Sequence, residues 1–432
     1  MTQNTKPELV VPAGSLEKLK YAFAYGADAV YAGIPQFSLR TRENAFTDDN
    51  IYEGIAYTHG LNKKFYLTAN IIAHNRKIKP FYNKLQKMIA AGPDAVIMAD
   101  PGLISMVRQK YPGCPIHLSV QANVMNKETA LFWKNQGITR IILSRELSID
   151  EIREIKDAVP NMEIEVFVHG AVCIAHSGRC LLSNFLSYRD ANDGCCNNAC
   201  RWSYRVSGQN ANSPLPEEAH YTPLKGDFFL EETQRPGELM PIDEDEHGTY
   251  IMNAKDLMAI EYINDLLTAG VDSLKIEGRT KSIYYLSMTT RVYKKAIDDL
   301  LSGRGLDPDA VNELKKIHHR GYTAGFLINR ADHHLQRYDE GVTNIYTQEF
   351  GGIVKKTRKG EILITPRNKL VIGDTIEIIT PQKNYHTTIR SLTLDDGTPL
   401  EAIHGGTNIE AWIPFEEAIS PEFAVISRVV PK

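Results

Sequence analysis

No stretch of this 432-residue chain is apolar for long enough to span a bilayer. Nor does a basic-then-apolar signal segment open it: "MTQNTKPELVVPAG" stays polar for seven residues before a short apolar run. Both absences point to a soluble, cytoplasmic protein without a membrane partner, whose thiols stay reduced. An excess of charge of one sign is also missing. A net charge of −4 excludes a global basic signature, so any nucleic-acid contact must come from a local patch. Further absences exclude reactions. There is no H-E-x-x-H helix, no G-x-S-x-G elbow, no Walker loop and no C-x3-C-x2-C of radical enzymes. The lack of a G-x-G-x-x-G turn after the first apolar run argues against a dinucleotide-binding fold.

Cysteine is scarce, with six in all, but five fall within 28 positions: Cys173 and Cys180 in "CIAHSGRC", and Cys195, Cys196 and Cys200 in "DGCCNNACRW". Read as C-x6-C-x15-C-x3-C, the thiols of Cys173, Cys180, Cys196 and Cys200 can close a coordination shell around zinc or an iron-sulfur cluster. Structural zinc usually arrives on two short knuckles, and only the C-x3-C has that shape, so the spacing leans toward iron-sulfur and leaves zinc open. Cys196 is preferred over Cys195 because it keeps the C-x3-C frame. Cys114, in "YPGCPIH", reads as a buried structural thiol.

Eight short apolar runs recur before residue 280: Glu8–Pro12, Ala29–Gly33, Lys64–Asn70, Ala95–Asp100, Ile116–Ala122, Arg140–Glu146, Glu163–Gly170 and Ser273–Arg279. Four of the entries resemble one another, "YGADAVYAG", "AGPDAVIMAD", "QGITRIILSR" and "AGVDSLKIEG", in which a Gly ends a helix and a β-branched strand follows. Strands alternating with helical segments imply parallel βα units, and eight of them predict an α/β fold of the TIM-like (β/α)8 barrel type over residues 1–345. An open doubly wound sheet is the alternative. The interval between the seventh and eighth strands, about 171–270, is a long insertion that carries the cysteines, a possible extra strand at "GTYIMN" and the helix-like "KDLMAIEYINDLL". A helix through "YYLSMTTRVYKKAIDDLLSG" should pack on the barrel. The pairs His318–His319 and His333–His334 look like metal ligands at first sight, but neighbours on a helix point apart, which argues against metal binding. From about 346 to 432 apolar and polar residues alternate between turns, which predicts a small antiparallel β-barrel domain. Its first hairpins are basic, with Lys355, Lys356, Arg358 and Lys359; such a run is either a solvated face or a phosphate-contact surface.

In a (β/α)8 barrel the residues just beyond each strand face the active site. Here these are Arg40 and Arg42 after strand two, Asn70 after three, Asp100 after four, Ser119 and Gln121 after five, Arg145 and Glu146 after six, His169 after seven, and Glu277, Arg279 and Lys281 after eight. Guanidinium forks suit carboxylate and phosphate groups. His169, Glu277 and Arg145 are the catalytic candidates; Arg40, Arg42, Asn70, Gln121, Arg279 and Lys281 are the substrate-binding ones. For each, a salt bridge or cap at the barrel rim is the alternative.

With these residues in view, "EVFVHGAVCIAHSGRCLLSN" and "CNNACRW" resemble the signature of the U32 peptidases, or collagenase-like proteases. Together with "PAGSLEKLKYAFAYGADAVYAG", "SLRTRENAF", "HLSVQANVMN", "ILSRELS" and "SLKIEGRTKS", the resemblance covers nearly the whole chain. It is nearest to the branch of TrhP-type tRNA 5-hydroxyuridine modification proteins. That resemblance implies oxygen-independent hydroxylation of the wobble uridine in the tRNA anticodon loop. It also implies an iron-sulfur cluster, expected as 4Fe-4S, on Cys173, Cys180, Cys196 and Cys200, and prephenate, a small dicarboxylate, as source of the hydroxyl group. The doublet Cys195–Cys196 departs from the family's single cysteine. Two other readings stand beside it: a peptidase, sketched as His169 with Ser177 or Glu277, and a non-catalytic tRNA-binding or recruiting protein.

Overall fold

In the computed structural model of the protein, which describes residues 6–39, 45–173, 175–201, 228–231, 239–245, 248–250, 254–328 and 345–430, four of the helices that lead into barrel strands end on a glycine in the left-handed region. These are Gly26, Gly92, Gly137 and Gly270, with φ between +78° and +106°, and each belongs to one of the four similar entry motifs. At this position a side chain would be strained, so glycine sets where each helix stops and the next strand starts. The helices begin as locally. Ser15, Thr47, Asp100, Asn126 and Ser148 each accept a backbone N–H three residues on, and Ser148 with Glu151 forms a reciprocal capping box.

The units run β1 (Glu8–Ala13), α1 (Leu16–Ala24), β2 (Ala29–Gly33), α2 (Asp48–Gly60), β3 (Lys64–Thr68), α3 (Asn75–Ala90), β4 (Ala95–Met98), α4 (Pro101–Lys110), β5 (Ile116–Leu118), α5 (Lys127–Asn135), β6 (Arg140–Ile142), α6 (Ile149–Ala158) and β7 (Glu163–Ala171). The insertion follows, with α7 (Leu182–Ser187), a small antiparallel sheet of β8 (Phe228–Glu231), β9 (Leu239–Asp245) and β10 (Gly248–Tyr250), then β11 (Asp256–Met258) and α8 (Ile263–Thr268). Strand β12 (Ser273–Ile276) pairs in parallel with both β1 and β7, Leu274 lying opposite Leu9 and Val166, and this closes eight strands into a ring. The barrel is therefore closed, as expected.

Two local readings need correction. The segment read as helical at "KDLMAIEYINDLL" begins instead with β11, which pairs antiparallel to β7, and becomes helical only from Ile260, first as a 3-10 turn and from Ile263 as α8. The reason is the length of β7. It runs nine residues against four in β12, so its far end presents backbone groups that β11 satisfies. The extra strand anticipated at "GTYIMN" is β10, but it joins the small sheet and not the ring. Helix α9 (Ile283–Leu301) packs its apolar stripe on the barrel as expected, followed by α10 (Asp309–Lys315) and β13 (Tyr322–Thr323). His333–His334 lie outside the described residues. Among the described residues no helix is long and apolar enough to cross a membrane.

The C-terminal strands are β14 (Gln348–Arg358), β15 (Glu361–Pro366), β16 (Leu370–Val371), β17 (Thr375–Ile379), β18 (Asn384–Thr388), β19 (Leu392–Thr393), β20 (Pro399–Leu400), β21 (Ala402–Ile403), β22 (Ala411–Pro414) and β23 (Val425–Val429). They form an antiparallel sheet ordered β18-β17-β23-β14-β15-β22-β19-β20, with β16 and β21 paired beside it, around a core that includes Ile364, Ile376, Ile378 and Ile426. Ile379 and Val425 pack instead into the barrel's core, and the Tyr25 hydroxyl donates to the carbonyls of Ile379 and Phe423, each at 2.8 Å.

The barrel interior is charged. Glu165 is fully buried; it accepts from Arg140 (2.9 Å) and from Lys275 (2.6 Å), and Arg140, 2% exposed, also reaches Glu8 (2.7 Å) and Glu163 (2.9 Å). The Arg140 guanidinium stands over the Tyr66 ring, 5.1 Å from its centroid. Burial alone would raise the Glu165 carboxyl, but Lys275 and Arg140 beside it hold it below the ordinary carboxylate value. Burial is likewise outweighed at Glu8, chiefly by Arg140.

Removing one charge of such a set leaves the others buried and uncompensated. Glu165→Gln should therefore lower unfolding free energy by about 3–5 kcal/mol in urea titrations, whereas Glu163→Gln, about half exposed, should cost less than about 1 kcal/mol. Both depressed carboxyls also give a pH dependence. Their stabilisation is complete above the ordinary value of 4.5 and is lost as pH falls through the folded-state values. Below pH 4.5 the unfolding free energy of Glu165→Gln, from urea titrations at several pH values, should thus depend less steeply on pH than that of the unaltered chain.

Candidate functional site at the barrel mouth

Past the C-terminal ends of the strands lies a cavity of about 140 Å³. Its lining includes Tyr31, Thr68, Asn70, Ser119, Gln121, Arg145, Phe167, Lys275, Glu277 and Arg279 from the barrel, and Cys173, Ser177, Cys180, Cys196 and Cys200 from the segment after β7. Five of the strand-end candidates, Asn70, Gln121, Arg145, Glu277 and Arg279, therefore meet in one place beside four cysteines. Asn70 is fixed from both sides, accepting from the Leu39 N–H (3.1 Å) and donating to the Ser119 hydroxyl (3.1 Å). The Arg145 guanidinium lies 4.0 Å from the Phe167 ring centroid and donates to the Ala171 carbonyl (3.0 Å). Arg279 donates to the Leu39 carbonyl (2.7 Å).

His169 does not face this cavity. Glu165 and Phe167 point into the barrel, and strict alternation would send His169 the same way. The register between β7 and β12 slips after Lys275, however, so that Ile276 lies opposite His169. This bulge breaks the alternation. The ring is fully buried against Tyr285, Tyr293 and Tyr322, with centroids 5.4–5.8 Å away. Burial pushes its imidazole down to about 3, which keeps it neutral, and its expected place as a proton-transfer group at the mouth is not met. Lys281 also falls outside the lining; its ammonium lies 5.3 Å from the Tyr285 ring centroid. Arg40 and Arg42 lie outside the described residues. Asp100 serves as the N-cap of α4, accepting from Leu103. The residue that the reading of strand ends missed is Lys275, which lies within β12 and not beyond it. A lone cation inside the apolar run "SLKI" was the available signal.

The cysteine segment is clamped to the mouth at Ser177. Its backbone is in the left-handed region (φ 42°, ψ 35°), uncommon for a residue with a side chain. Both its N–H and its hydroxyl donate to the Glu146 carboxylate at 2.5 Å, and its oxygen accepts from the Arg145 N–H at 3.2 Å. Arg179 donates to the Gln121 carbonyl (2.8 Å), and Asn123 to the His176 carbonyl (3.3 Å). Strand ends β5 and β6 thus hold the loop between Cys173 and Cys180. Cys114, Cys173, Cys180, Cys195 and Cys196 are thiols outside any disulfide. The Cys180 sulfur accepts from the Leu182 N–H (3.3 Å) and the Cys196 sulfur from the Asn198 N–H (3.4 Å). Cys195 is not among the lining residues. Among the described residues no three His, Cys, Asp or Glu side chains are gathered as a single metal ion requires. By its chemistry, the donor set of four thiols lining the cavity suits an iron-sulfur cluster.

Elsewhere, His318 stacks on Tyr346 and His319 on Tyr322, so this pair is packed. On the C-terminal hairpin Lys355, Lys356, Arg358 and Lys359 are all exposed. Lys355 pairs with Glu410 (2.7 Å), while Arg358 pairs with Glu361 (2.6 Å) and lies 4.0 Å from the Trp412 ring centroid.

If Glu146 clamps the cysteine loop, Glu146→Gln should loosen it. Hydrogen bonds to a charged acceptor contribute about 1.5–3 kcal/mol each. Loss of the carboxylate should speed thiol modification by a disulfide reagent by about tenfold or more, with an unchanged far-UV circular dichroism spectrum. An unchanged modification rate would show that Ser177 is held by other means.

Comparison with known proteins agrees with this architecture. The model of "Peptidase family U32" matches residues 14–337, and that of "Peptidase family U32 C-terminal domain" matches residues 346–425. The chain is 47% identical to tRNA hydroxylation protein P of Escherichia coli (strain K12), over 98% of this chain and 97% of that one. It is 45% identical to tRNA hydroxylation protein P of Haemophilus influenzae, over 99% and 97%. A more distant relative, at 29% identity over 86% of this chain and 52% of its own, is the 23S rRNA 5-hydroxycytidine C2501 synthase of Escherichia coli. By the family match and by these near-full-length identities, the chain belongs to peptidase family U32.

Proposed function

We propose that this chain is an enzyme that hydroxylates tRNA, acting on the wobble uridine at C5 in the mouth of its barrel. One joint observation carries the reading. Relatives matched along nearly the whole chain are named for tRNA hydroxylation, and here four thiols share one cavity with amide and guanidinium groups. An anticodon loop presents unpaired bases, so its uridine can enter without melting a duplex. The locally basic hairpin of the C-terminal sheet is suited to hold phosphates while the barrel handles the base. Two of its exposed cations, Lys355 and Arg358, pair with the half-buried carboxylates of Glu410 and Glu361, and pairs at such a surface contribute only about 0–1 kcal/mol, so phosphates can replace them at little cost.

Cys173, Cys180, Cys196 and Cys200 would hold an iron-sulfur cluster of the 4Fe-4S form, which supplies electron transfer when bound. Arg145 and Arg279 would bind the carboxylates of prephenate, with Lys275 adding positive charge to the floor. Reduced thiols suit a cytoplasmic setting. The peptidase reading finds less support, because the Ser177 hydroxyl is engaged by Glu146 and the His169 ring is turned into a tyrosine cluster.

Two measurements test this. In a deletion strain, 5-hydroxyuridine derivatives of total tRNA should vanish and return with the intact gene. Arg145→Lys and Arg279→Lys keep the charge but lose the planar fork, and should restore less than about a tenth of the nucleoside. Full restoration by both would remove the carboxylate floor. Protein purified without oxygen should contain iron and sulfide; Cys180→Ala should abolish the visible absorbance and Cys114→Ala should leave it intact. Stoichiometric zinc without iron would overturn the cluster assignment.

A further inference from the structure

Gln121 occupies the short 3-10 turn Val120–Ala122 that follows β5, and it is 4% exposed while lining the cavity. Its amide orientation is dictated by its neighbour. The side-chain nitrogen donates to the backbone carbonyl of Ser177 at 3.2 Å, and a carbonyl can only accept, so the nitrogen must lie on that side and the oxygen on the other. Gly178 makes the approach possible: its φ is +85°, and a Cβ there would sit 2.6 Å from the Gln121 nitrogen. The Gln121 backbone is tied down as well, its N–H donating to the Ser119 hydroxyl (3.4 Å) and its carbonyl accepting from Arg179 (2.8 Å). The side-chain oxygen, in contrast, is buried and has no hydrogen-bond partner among the described residues. A buried acceptor left unmatched is costly, so a rigidly held one beside a cavity is an acceptor kept for a ligand's donor.

A second unmatched group shares the cavity. The Thr68 hydroxyl, at the end of β3 and 3% exposed, has no partner among the described residues and can donate to a carbonyl. An acceptor and a hydroxyl donor suit an imide edge, in which an N–H is flanked by two carbonyls. We infer that the Gln121 side-chain oxygen accepts the N3–H of a uracil ring, and that this contact sets a preference for uridine over cytidine. Cytosine presents a bare lone pair at N3, which the same oxygen would repel. The inference rests on the tRNA reading above and names the edge by which the base is recognised.

The test uses the full chain, prepared without oxygen, and three anticodon stem-loop RNAs that differ only at the wobble position: uridine, N3-methyluridine or cytidine. The unaltered protein should bind the uridine loop about tenfold more tightly than the other two. In Gln121→Leu the uridine loop should weaken to the level of the N3-methyl loop, with the N3-methyl loop itself unchanged, so that the discrimination collapses to about onefold. An N3-methyl penalty of the same size in both proteins would assign the effect to the methyl group's bulk and overturn the role of Gln121. That result beside a deletion strain whose 5-hydroxyuridine is restored by the intact gene would leave the tRNA reading standing. Equal binding of all three loops by the unaltered protein, with no restored nucleoside, would overturn both. The comparison of loops in the unaltered protein needs no variant, so a misfolded Gln121→Leu would not shield the inference.

Discussion

A carboxylate with no access to water, Glu165, is held between two cations in the middle of the barrel. A single buried charge would be expensive, and the arrangement survives because each member answers another. Arg140 faces the N-terminal end, where Glu8 joins it; Lys275 faces the C-terminal end, where it forms part of the cavity floor. The column therefore does two jobs at once. It draws β1, β6, β7 and β12 together through contacts that lie far apart in the chain, and it places a fixed positive charge beneath the mouth. A hydrophobic plug of equal volume could fill the barrel as well, but it would leave the mouth without that charge.

Much of this was legible in the sequence, for reasons visible in particular residues. Glycines 26, 92, 137 and 270 announced helix ends because glycine adopts their left-handed backbone without strain. The strands were readable as apolar runs because both faces of a barrel strand are covered. Asn70, Gln121, Arg145, Glu277 and Arg279 could be nominated from their place just after those runs, since the geometry of a parallel barrel sends such residues to one end. The cysteines stood out by proximity alone.

The misses share a cause, which is that they depend on pairing. His169 follows two inward-facing residues and would join them if β7 and β12 kept register; the slip after Lys275 is a property of two strands together, and neither strand encodes it alone. Asp256–Met258 reads as helical in isolation and becomes a strand because the overhanging end of β7 needs a partner. Lys275 was passed over because a charge within an apolar run has no visible counterpart until Glu165 is brought across the barrel from β7. The clamp of Glu146 on Ser177 is likewise invisible in one dimension, since it joins the end of β6 to a loop beyond β7.

The ring's closure has a consequence for how the molecule comes into being. Strand β12 must dock against β7, where Ser273 meets Glu165 across 108 residues of chain, and against β1 at the opposite end of the barrel sequence. Contacts between such distant segments form slowly, because the intervening chain must first be ordered or looped out. The segment with the thiols lies wholly inside that interval. It emerges before the last strand, while the floor supplied by Lys275 and the wall supplied by Glu277 and Arg279 are still missing. During assembly the thiol segment thus stands apart from its floor, and the docking of a single short strand completes the cavity that it lines.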